Sequence, residues 1–217
     1  MFNLKTCVIM KKVVLFVLMA CMVMPMTADA QNKALQKALK REKKEKMKEY
    51  KKENWKLFGS SRTLEVALLT HYDKLEQLGE DGREIAGTVS RANIKNVAHQ
   101  RTINDACITY AQQAGSSLQG RVLTDMADVS DGESFDHFYA AYERLVEKEI
   151  QQVMDESYSI IRDNGDGTFD MQTFFVVSES AATKARIRAM EDALKESEAA
   201  QRYAQKISDF VKAGFEK

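Results

Sequence analysis

Proline is almost absent from this 217-residue chain, in which Pro25 is the only one. Proline fixes φ and removes a backbone hydrogen-bond donor, so no residue after Pro25 is obliged to interrupt a helix. A loop-rich scaffold is therefore disfavoured, and long uninterrupted helices are expected.

Cysteine is also scarce. The chain contains Cys7, Cys21 and Cys107, and the first two lie in an N-terminal segment that we expect to be removed. One remaining cysteine cannot build a disulfide framework in an oxidising compartment. Cys107 lies in an apolar stretch with helical periodicity and is expected to be a small buried hydrophobe. An intermolecular disulfide is the alternative.

Motifs that carry chemistry are missing as well. The sequence has no Gly-x-Ser-x-Gly, no phosphate-binding loop and no dinucleotide-binding fingerprint. His71, His99 and His137 fall on three different predicted helices, and none has a second ligand at the spacing of a zinc-binding helix. Spacing assigns no pair of carboxylates to acid–base catalysis. We therefore expect no catalytic residue, no cofactor and no metal site, with an enzyme assembled from distant residues as the alternative.

The segment RDNGDGTFD, residues 162–170, has the composition of a calcium-binding loop. If Gly167 takes position 6 of such a loop, positions 1 and 12 become Arg162 and Thr173, where carboxylates are required. These two residues exclude the calcium loop. The stretch Asn-Gly-Asp-Gly at 164–167 instead predicts a β-hairpin, because asparagine and glycine readily adopt positive φ.

The one long apolar run lies at residues 13–24, directly after Lys11 and Lys12. It is too short to cross a hydrocarbon layer, which needs about 20 residues. Small residues at Ala28 and Ala30 suit signal peptidase, so residues 1–30 are predicted to be a cleaved signal peptide. The protein is then periplasmic or secreted, with outer-membrane association as an open alternative.

Two details of this N-terminus stay open. Met10 directly precedes the lysine pair, so translation starts at either Met1 or Met10. Lipid attachment at Cys21 competes with cleavage after Ala30, although the segment after Cys21 stays apolar instead of turning polar.

The net charge is zero, but its distribution is uneven. Residues 31–58 carry 11 Lys/Arg and 4 Asp/Glu, a net charge of +7, whereas residues 59–217 carry 18 and 27, a net charge of −9. Residues 31–58 are rich in helix formers and have a thin apolar stripe, which predicts a basic helical arm. The arm either stays solvated, with its last turn docked through Trp55 and Phe58, or binds an anionic surface or an acidic envelope protein.

The candidate interaction residues of the arm are Lys40, Arg41, Lys43, Lys44, Lys48, Trp55 and Phe58. Nucleic acid is not expected as a partner, because a secreted chain does not meet it. A homo-oligomer is a further alternative, in which the +7 arm of one molecule meets the −9 body of another.

Residues 59–217 predict a single acidic α+β domain, in which a mostly antiparallel sheet of about four strands is covered by helices. The predicted order after the arm is α-β-α-β-α-β-β-α. Strands are expected at 83–90, at 118–129 and on both sides of the hairpin turn. Helices are expected after a cap at Ser61 or Thr63, from Arg91 to about Ala114 with an end at Gly115, after a cap at Ser134, and from about Ala181 to Ala213.

The helix after Ser134 has the clearest apolar face of the chain. We expect its side chains to pack on the second strand of the hairpin, at residues 169–177. The residues expected at this contact are Phe138, Tyr142, Leu145 and Val146.

One stretch, RANIKNVAHQRTINDACITYAQQAGSSLQGRVLTD, resembles the LPP-type family of small bacterial envelope lipoproteins. The resemblance is carried by Ala98, Arg101, Ala106 and Ala111 on a predicted helix, followed by Gly115 and the segment LQGRVLTD. It covers residues 90–130, and a related module occurs in a flagellar assembly protein. The resemblance implies a non-catalytic, envelope-associated role and transfers no catalytic residue. Taken together, the sequence predicts a structural or interaction protein of the envelope.

Overall fold

A computed structural model of the chain describes residues 28–125 and 132–214. The apolar run at 13–24 and Cys21 lie outside the described residues. The chain divides into two units with the boundary between Lys46 and Met47. Helix α1, Ala28–Lys52, crosses this boundary and confirms the predicted basic N-terminal helix.

Helix α1 ends earlier than the pattern predicts. Asn54 adopts a left-handed φ of 60°, and the Trp55 amide donates to the Tyr50 carbonyl at 2.9 Å. A left-handed residue followed by a bond to the last helical turn is a common helix C-terminus, and asparagine tolerates it. Trp55 and Phe58 therefore lie beyond the helix, which corrects the prediction that they form its last turn.

The second unit, residues 47–217, is called the body. It contains a four-stranded antiparallel sheet in the order β1-β3-β4-β2, as predicted for the fold class. The strands are β1 Lys56–Phe58, β2 Gly82–Ala92, β3 Asp155–Asp163 and β4 Phe169–Ser178. The predicted strand at 83–90 and both hairpin strands are confirmed. The fourth strand, β1, comes from the end of the predicted arm.

The hairpin between β3 and β4 has the turn that its sequence predicts. Gly165 and Gly167 have φ values of 78° and 84°, which side chains rarely adopt. Carboxylates of the turn accept backbone N–H groups within it: Asp163 accepts from Gly165 at 2.8 Å and Asp166 from Thr168 at 3.0 Å. These residues act as turn formers.

Helices cover both faces of the sheet. The helices of the body are α2 Leu64–Leu78, α3 Lys95–Asp125, α4 Gly132–Gln151, α5 Glu179–Lys195, α6 Glu198–Gln201 and α7 Ala204–Lys212. Successive residues of β4 point to opposite faces: Phe174 contacts His71 of α2, and Thr173 hydrogen-bonds Thr102 of α3. The sheet is thus a middle layer between α2 and α3.

The predicted strand at 118–129 is wrong over residues 118–125, because α3 continues through Gly115 to Asp125, and residues 126–129 lie outside the described residues. Its buried residues Ala111, Ala114, Leu118 and Val122 recur at helical spacing, which places them on one packed face. The predicted start at Arg91 is also wrong. Arg91 has a φ of 54° and lies within β2, which ends at Ala92.

Helix α4 begins at Gly132, so Ser134 is not its cap but lies in its first turn. Its apolar face is buried as predicted, with Phe138, Tyr142 and Val146 at most 1% exposed and Leu145 half-buried. The partner is different from the prediction: α4 packs mainly against helices α3 and α5 rather than against β4. Helix α3 contacts both α4 and the sheet, so α4 packs on α3 where the prediction had it pack on the sheet.

The predicted C-terminal helix is interrupted. It begins at Glu179, where the hydroxyl of Ser178 accepts the amide of Ala181. It stops at Lys195, because Ser197 caps a new short helix by accepting the amide of Ala200 at 3.2 Å. Polar capping side chains compete with helix continuation in this way.

Candidate functional site

Several basic side chains of α1 are presented to solvent. Lys40, Arg41, Lys44 and Lys48 are exposed and Lys43 is half-buried. Those at positions 40–44 belong to the first unit and Lys48 to the second. A helix that shows its cations outward offers a field of positive charge to an anionic surface.

Trp55 is a packing residue of the body and is only 7% exposed. The guanidinium carbon of Arg162 lies 4.7 Å from its ring centroid, and its indole N–H donates to Glu53 at 3.0 Å. Phe58 is half-buried in β1, with its ring 5.7 Å from that of His99. Trp55 is thus already engaged within the body, and Phe58 lies beside a cavity.

That cavity, the β1 cleft, has a volume of about 450 Å³. Its walls come from β1 and the following loop, from α2, from the start of α3 and from β3; among them are Phe58, Arg62, Thr70, His99 and Glu156. A volume of this size is within the range of small-molecule sites in proteins. The β1 cleft is therefore a candidate site.

A His–Glu pair forms one wall of the β1 cleft. The Nε2 atom of His99 lies 3.0 and 3.1 Å from the two carboxylate oxygens of Glu156. The hydroxyl of Ser159 donates to the same carboxylate at 2.7 Å. The pair joins α3 to β3 and fixes the His99 ring through one nitrogen, as carboxylates do for working imidazoles.

A chain of buried hydroxyls continues from this pair into the core. The Ser159 hydroxyl lies 3.0 Å from that of Thr173, which lies 2.6 Å from that of Thr102. Thr102 also donates to the His99 carbonyl at 2.7 Å. Buried polar groups need such partners, so the network positions the wall of the cleft.

A second polar cluster lies on the α2 side of the sheet. His71 is fully buried and its Nε2 atom lies 2.5 Å from the Glu84 carboxylate, so the predicted core histidine is confirmed. The hydroxyls of Tyr50 and Tyr158 lie 3.1 Å apart. Burial raises the pKa of Tyr50 to about 12 and also raises the pKa of Tyr158, so both phenols stay protonated at neutral pH. This cluster ties the end of α1 to the sheet.

Two further groups are structural. Cys107 is a free thiol with 2% exposure, and burial followed by repulsion from Glu147 raises its pKa to about 11. The prediction of a small buried hydrophobe is confirmed. Arg186 is 2% exposed and pairs with Glu179 of the same helix at 2.5 Å. A buried charge requires such a partner.

No pattern in the sequence predicts the β1 cleft. His99 and Glu156 are 57 positions apart, and no spacing rule connects them. The third histidine, His137, is exposed on α4 and is not among the residues that line the β1 cleft. Within residues 28–125 and 132–214, no three His, Cys, Asp or Glu side chains form a metal-binding group, and no helix there is long and apolar enough to cross a membrane.

Comparison of the chain with family models, with curated proteins and with solved structures finds no match.

Proposed function

We propose that this protein is an interaction protein of the bacterial cell envelope, periplasmic or secreted, whose basic helix α1 binds an anionic surface. The observation that carries the proposal is the exposure of Lys40, Arg41, Lys44 and Lys48 on one helix. The net charge of +7 over residues 31–58 supports it, because each basic residue near an anionic membrane adds about 1 kcal/mol of attraction.

Vesicle binding tests this proposal. The purified protein is expected to sediment with vesicles of phosphatidylglycerol and phosphatidylcholine but not with pure phosphatidylcholine. Binding should disappear near 1 M salt, where electrostatic screening shortens to about 3 Å. Binding to neutral vesicles, or binding that persists at high salt, would rule out the electrostatic mechanism.

A matched pair of variants locates the binding surface. Replacement of Lys40, Arg41, Lys43 and Lys44 by glutamine should abolish vesicle binding. The control replaces the four exposed body cations Lys184, Lys195, Arg202 and Lys212 by glutamine, which changes the net charge equally. If the control loses binding to the same extent, net charge rather than α1 is responsible.

The envelope location rests on the sequence of residues 1–30. We infer cleavage between Ala30 and Gln31 without lipid attachment at Cys21. Intact-mass measurement of protein from native cells distinguishes the two, because a chain that begins with diacylated Cys21 would contradict cleavage after Ala30.

The LPP-type resemblance supports the same assignment. Three of the small residues that carry it, Ala98, Ala106 and Ala111, are at most 3% exposed on α3. The segment LQGRVLTD, however, is helical instead of forming a strand. Kinship with that family is therefore proposed on the helical part alone.

An envelope enzyme is the competing candidate, favoured by the His99–Glu156 pair in the β1 cleft. A nucleophile must lie within hydrogen-bond reach of its base. The Ser159 hydroxyl contacts Glu156 and Thr173 rather than His99, so the pair is better suited to binding. Ester hydrolysis that His99→Gln abolishes would favour the enzyme instead.

A further inference from the structure

The β1 cleft exists because β1 is short. β1 pairs only with residues 159–161 of β3, so the preceding residues 155–158 have a strand neighbour on the β4 side alone within the described parts of the chain. The cavity lies along this open edge, between α2 and α3. The sheet thus ends in a half-enclosed space instead of a flat exposed edge.

The same edge carries an irregularity. Glu156 pairs with Phe175 and Tyr158 with Phe174, so Ser157 between them is the extra residue of a β-bulge. The Ser157 hydroxyl is shielded from solvent and has no hydrogen-bond partner among residues 28–125 and 132–214. Bulges bend a strand and redirect its side chains, and they are common beside functional sites. Here Glu156, which directly precedes the extra residue, contacts His99.

The acidic and basic side chains that line the cleft are Arg62, His99 and Glu156. Glu156 is occupied, since His99 contacts both of its oxygens and Ser159 donates to one. Arg62 is exposed at the rim, and its guanidinium forms no ion pair with any residue of 28–125 or 132–214. A free guanidinium presents a planar fork of N–H donors suited to a carboxylate.

The position of Arg62 is fixed by its backbone. Its amide donates to the Ser60 hydroxyl at 3.2 Å, and the Thr63 hydroxyl directly after it caps α2 by accepting the Val66 amide at 3.3 Å. Asn96, in the first turn of α3, lines the cleft as well. The positive end of that helix adds to the potential of Arg62 at the cleft wall.

Apolar side chains form another part of the wall. Leu57, Phe58, Ala67 and Tyr158 contribute to it, and an aromatic or aliphatic group can replace water against them. We propose that the β1 cleft binds a small organic monoanion, whose carboxylate pairs with Arg62 and whose apolar body lies beside Phe58. The residues that line this site include none of the basic residues of α1, and its occupation does not depend on vesicle binding.

Three probes of similar size test the charge requirement: benzoate, benzamide and benzylammonium share one ring and differ in charge. Titration of the full chain, followed by NMR of backbone amides, should show saturable shifts at Ser60, His99 and Ser157 with benzoate. The neutral and cationic probes are expected to bind at least about tenfold more weakly. Equal binding of all three, or benzoate shifts confined to α1, would overturn the proposal.

Two variants test the role of Arg62 in binding. Arg62→Gln should weaken benzoate binding by at least about tenfold, whereas Arg101→Gln, an exposed arginine of α3 outside the cleft wall, should leave it unchanged. Because Arg62 is exposed, the variant should keep the amide spectrum of the folded protein. Benzoate affinity that survives Arg62→Gln contradicts the assignment. Neither variant should alter vesicle binding, so failure of this proposal is distinguishable from failure of the proposed function.

Discussion

Gly87 of β2 lies in direct contact with the backbone of Thr102 in α3. A Cβ atom on Gly87 would come within 1.8 Å of the Thr102 carbonyl oxygen and 2.9 Å of the Ala106 amide nitrogen. Helix and strand therefore meet without any side chain between them. This approach brings the Thr102 hydroxyl to within 2.6 Å of Thr173 on the neighbouring strand β4, and so sets the network behind the His99–Glu156 pair.

Gly87→Ala should destabilise the protein, because the added methyl group meets backbone that cannot rotate away. Overpacking of this kind costs about 1–3 kcal/mol or more, measured as a lower urea midpoint. Gly120→Ala is the control: Gly120 lies within α3, and a Cβ atom added there would meet nothing within 4 Å. It should stabilise by about 0.5–1 kcal/mol through helix propensity. Equal midpoints for the two variants would contradict the contact.

The last turn of α1 should matter for folding, and the preceding part should not. Tyr50 is 4% exposed and contacts Tyr158, so Tyr50→Ala is expected to cost about 3–5 kcal/mol. Tyr50→Phe removes only the hydroxyl contact and should cost about 0.5–1.5 kcal/mol.

Deletion of residues 31–46 is expected to leave the melting midpoint of the body unchanged, because exposed ion pairs contribute about 0–1 kcal/mol each. Circular dichroism during heating measures the melting midpoint of the deletion variant and of the Tyr50 variants. A body that unfolds on this deletion would show that the charged part of α1 is required for the fold.

Asp170 should make stability depend on acid pH. Although burial raises the pKa of Asp170, hydrogen bonds from Arg162, from Asn164 and from the Arg91 amide lower it to about 2. The ordinary pKa of an unfolded aspartate is about 3.9. The carboxylate therefore stabilises the fold above about pH 4, and this contribution is lost as the pH falls toward 2.

In the wild-type protein the urea midpoint should fall as the pH decreases from about 5 to 2, and Asp170→Asn should make this fall smaller. Asp136→Asn, on the exposed face of α4, makes none of these three hydrogen bonds and is the control. An unchanged pH profile for Asp170→Asn would show that another carboxylate is responsible.

Helix α4 should be held mainly by its neighbouring helices. Phe138 is fully buried, so Phe138→Ala is expected to cost about 3–5 kcal/mol. Leu145→Ala should cost less, because Leu145 is only half-buried. Arg144→Ala removes an exposed ion pair with Glu196 and should cost about 0–1 kcal/mol. Chemical denaturation of the three variants gives the order, and a Leu145→Ala cost above that of Phe138→Ala would contradict it.

Local patterns predicted those parts of the fold that local chemistry controls. The hairpin turn follows from Gly165 and Gly167, which supply positive φ, and the helix cap at Thr63 follows from its hydroxyl. The error at residues 118–129 arose because Gly115 was taken as a helix end. In the structure, a side chain at Gly115 would meet Glu143 of α4 at 2.1 Å, so this glycine serves close helix packing. A sequence alone does not show that neighbour.

The sequence by itself determined the uneven charge, the α+β class with an antiparallel sheet and the burial of Cys107 and His71, because these follow from composition and periodicity. Only the tertiary structure decided that β1 is three residues long and that His99 meets Glu156 beside it. Strand pairing and helix–strand contact join residues that are distant in the chain. The β1 cleft, with an Arg62 side chain that has no ion-pair partner among the described residues, is therefore a property of packing and not of any local pattern.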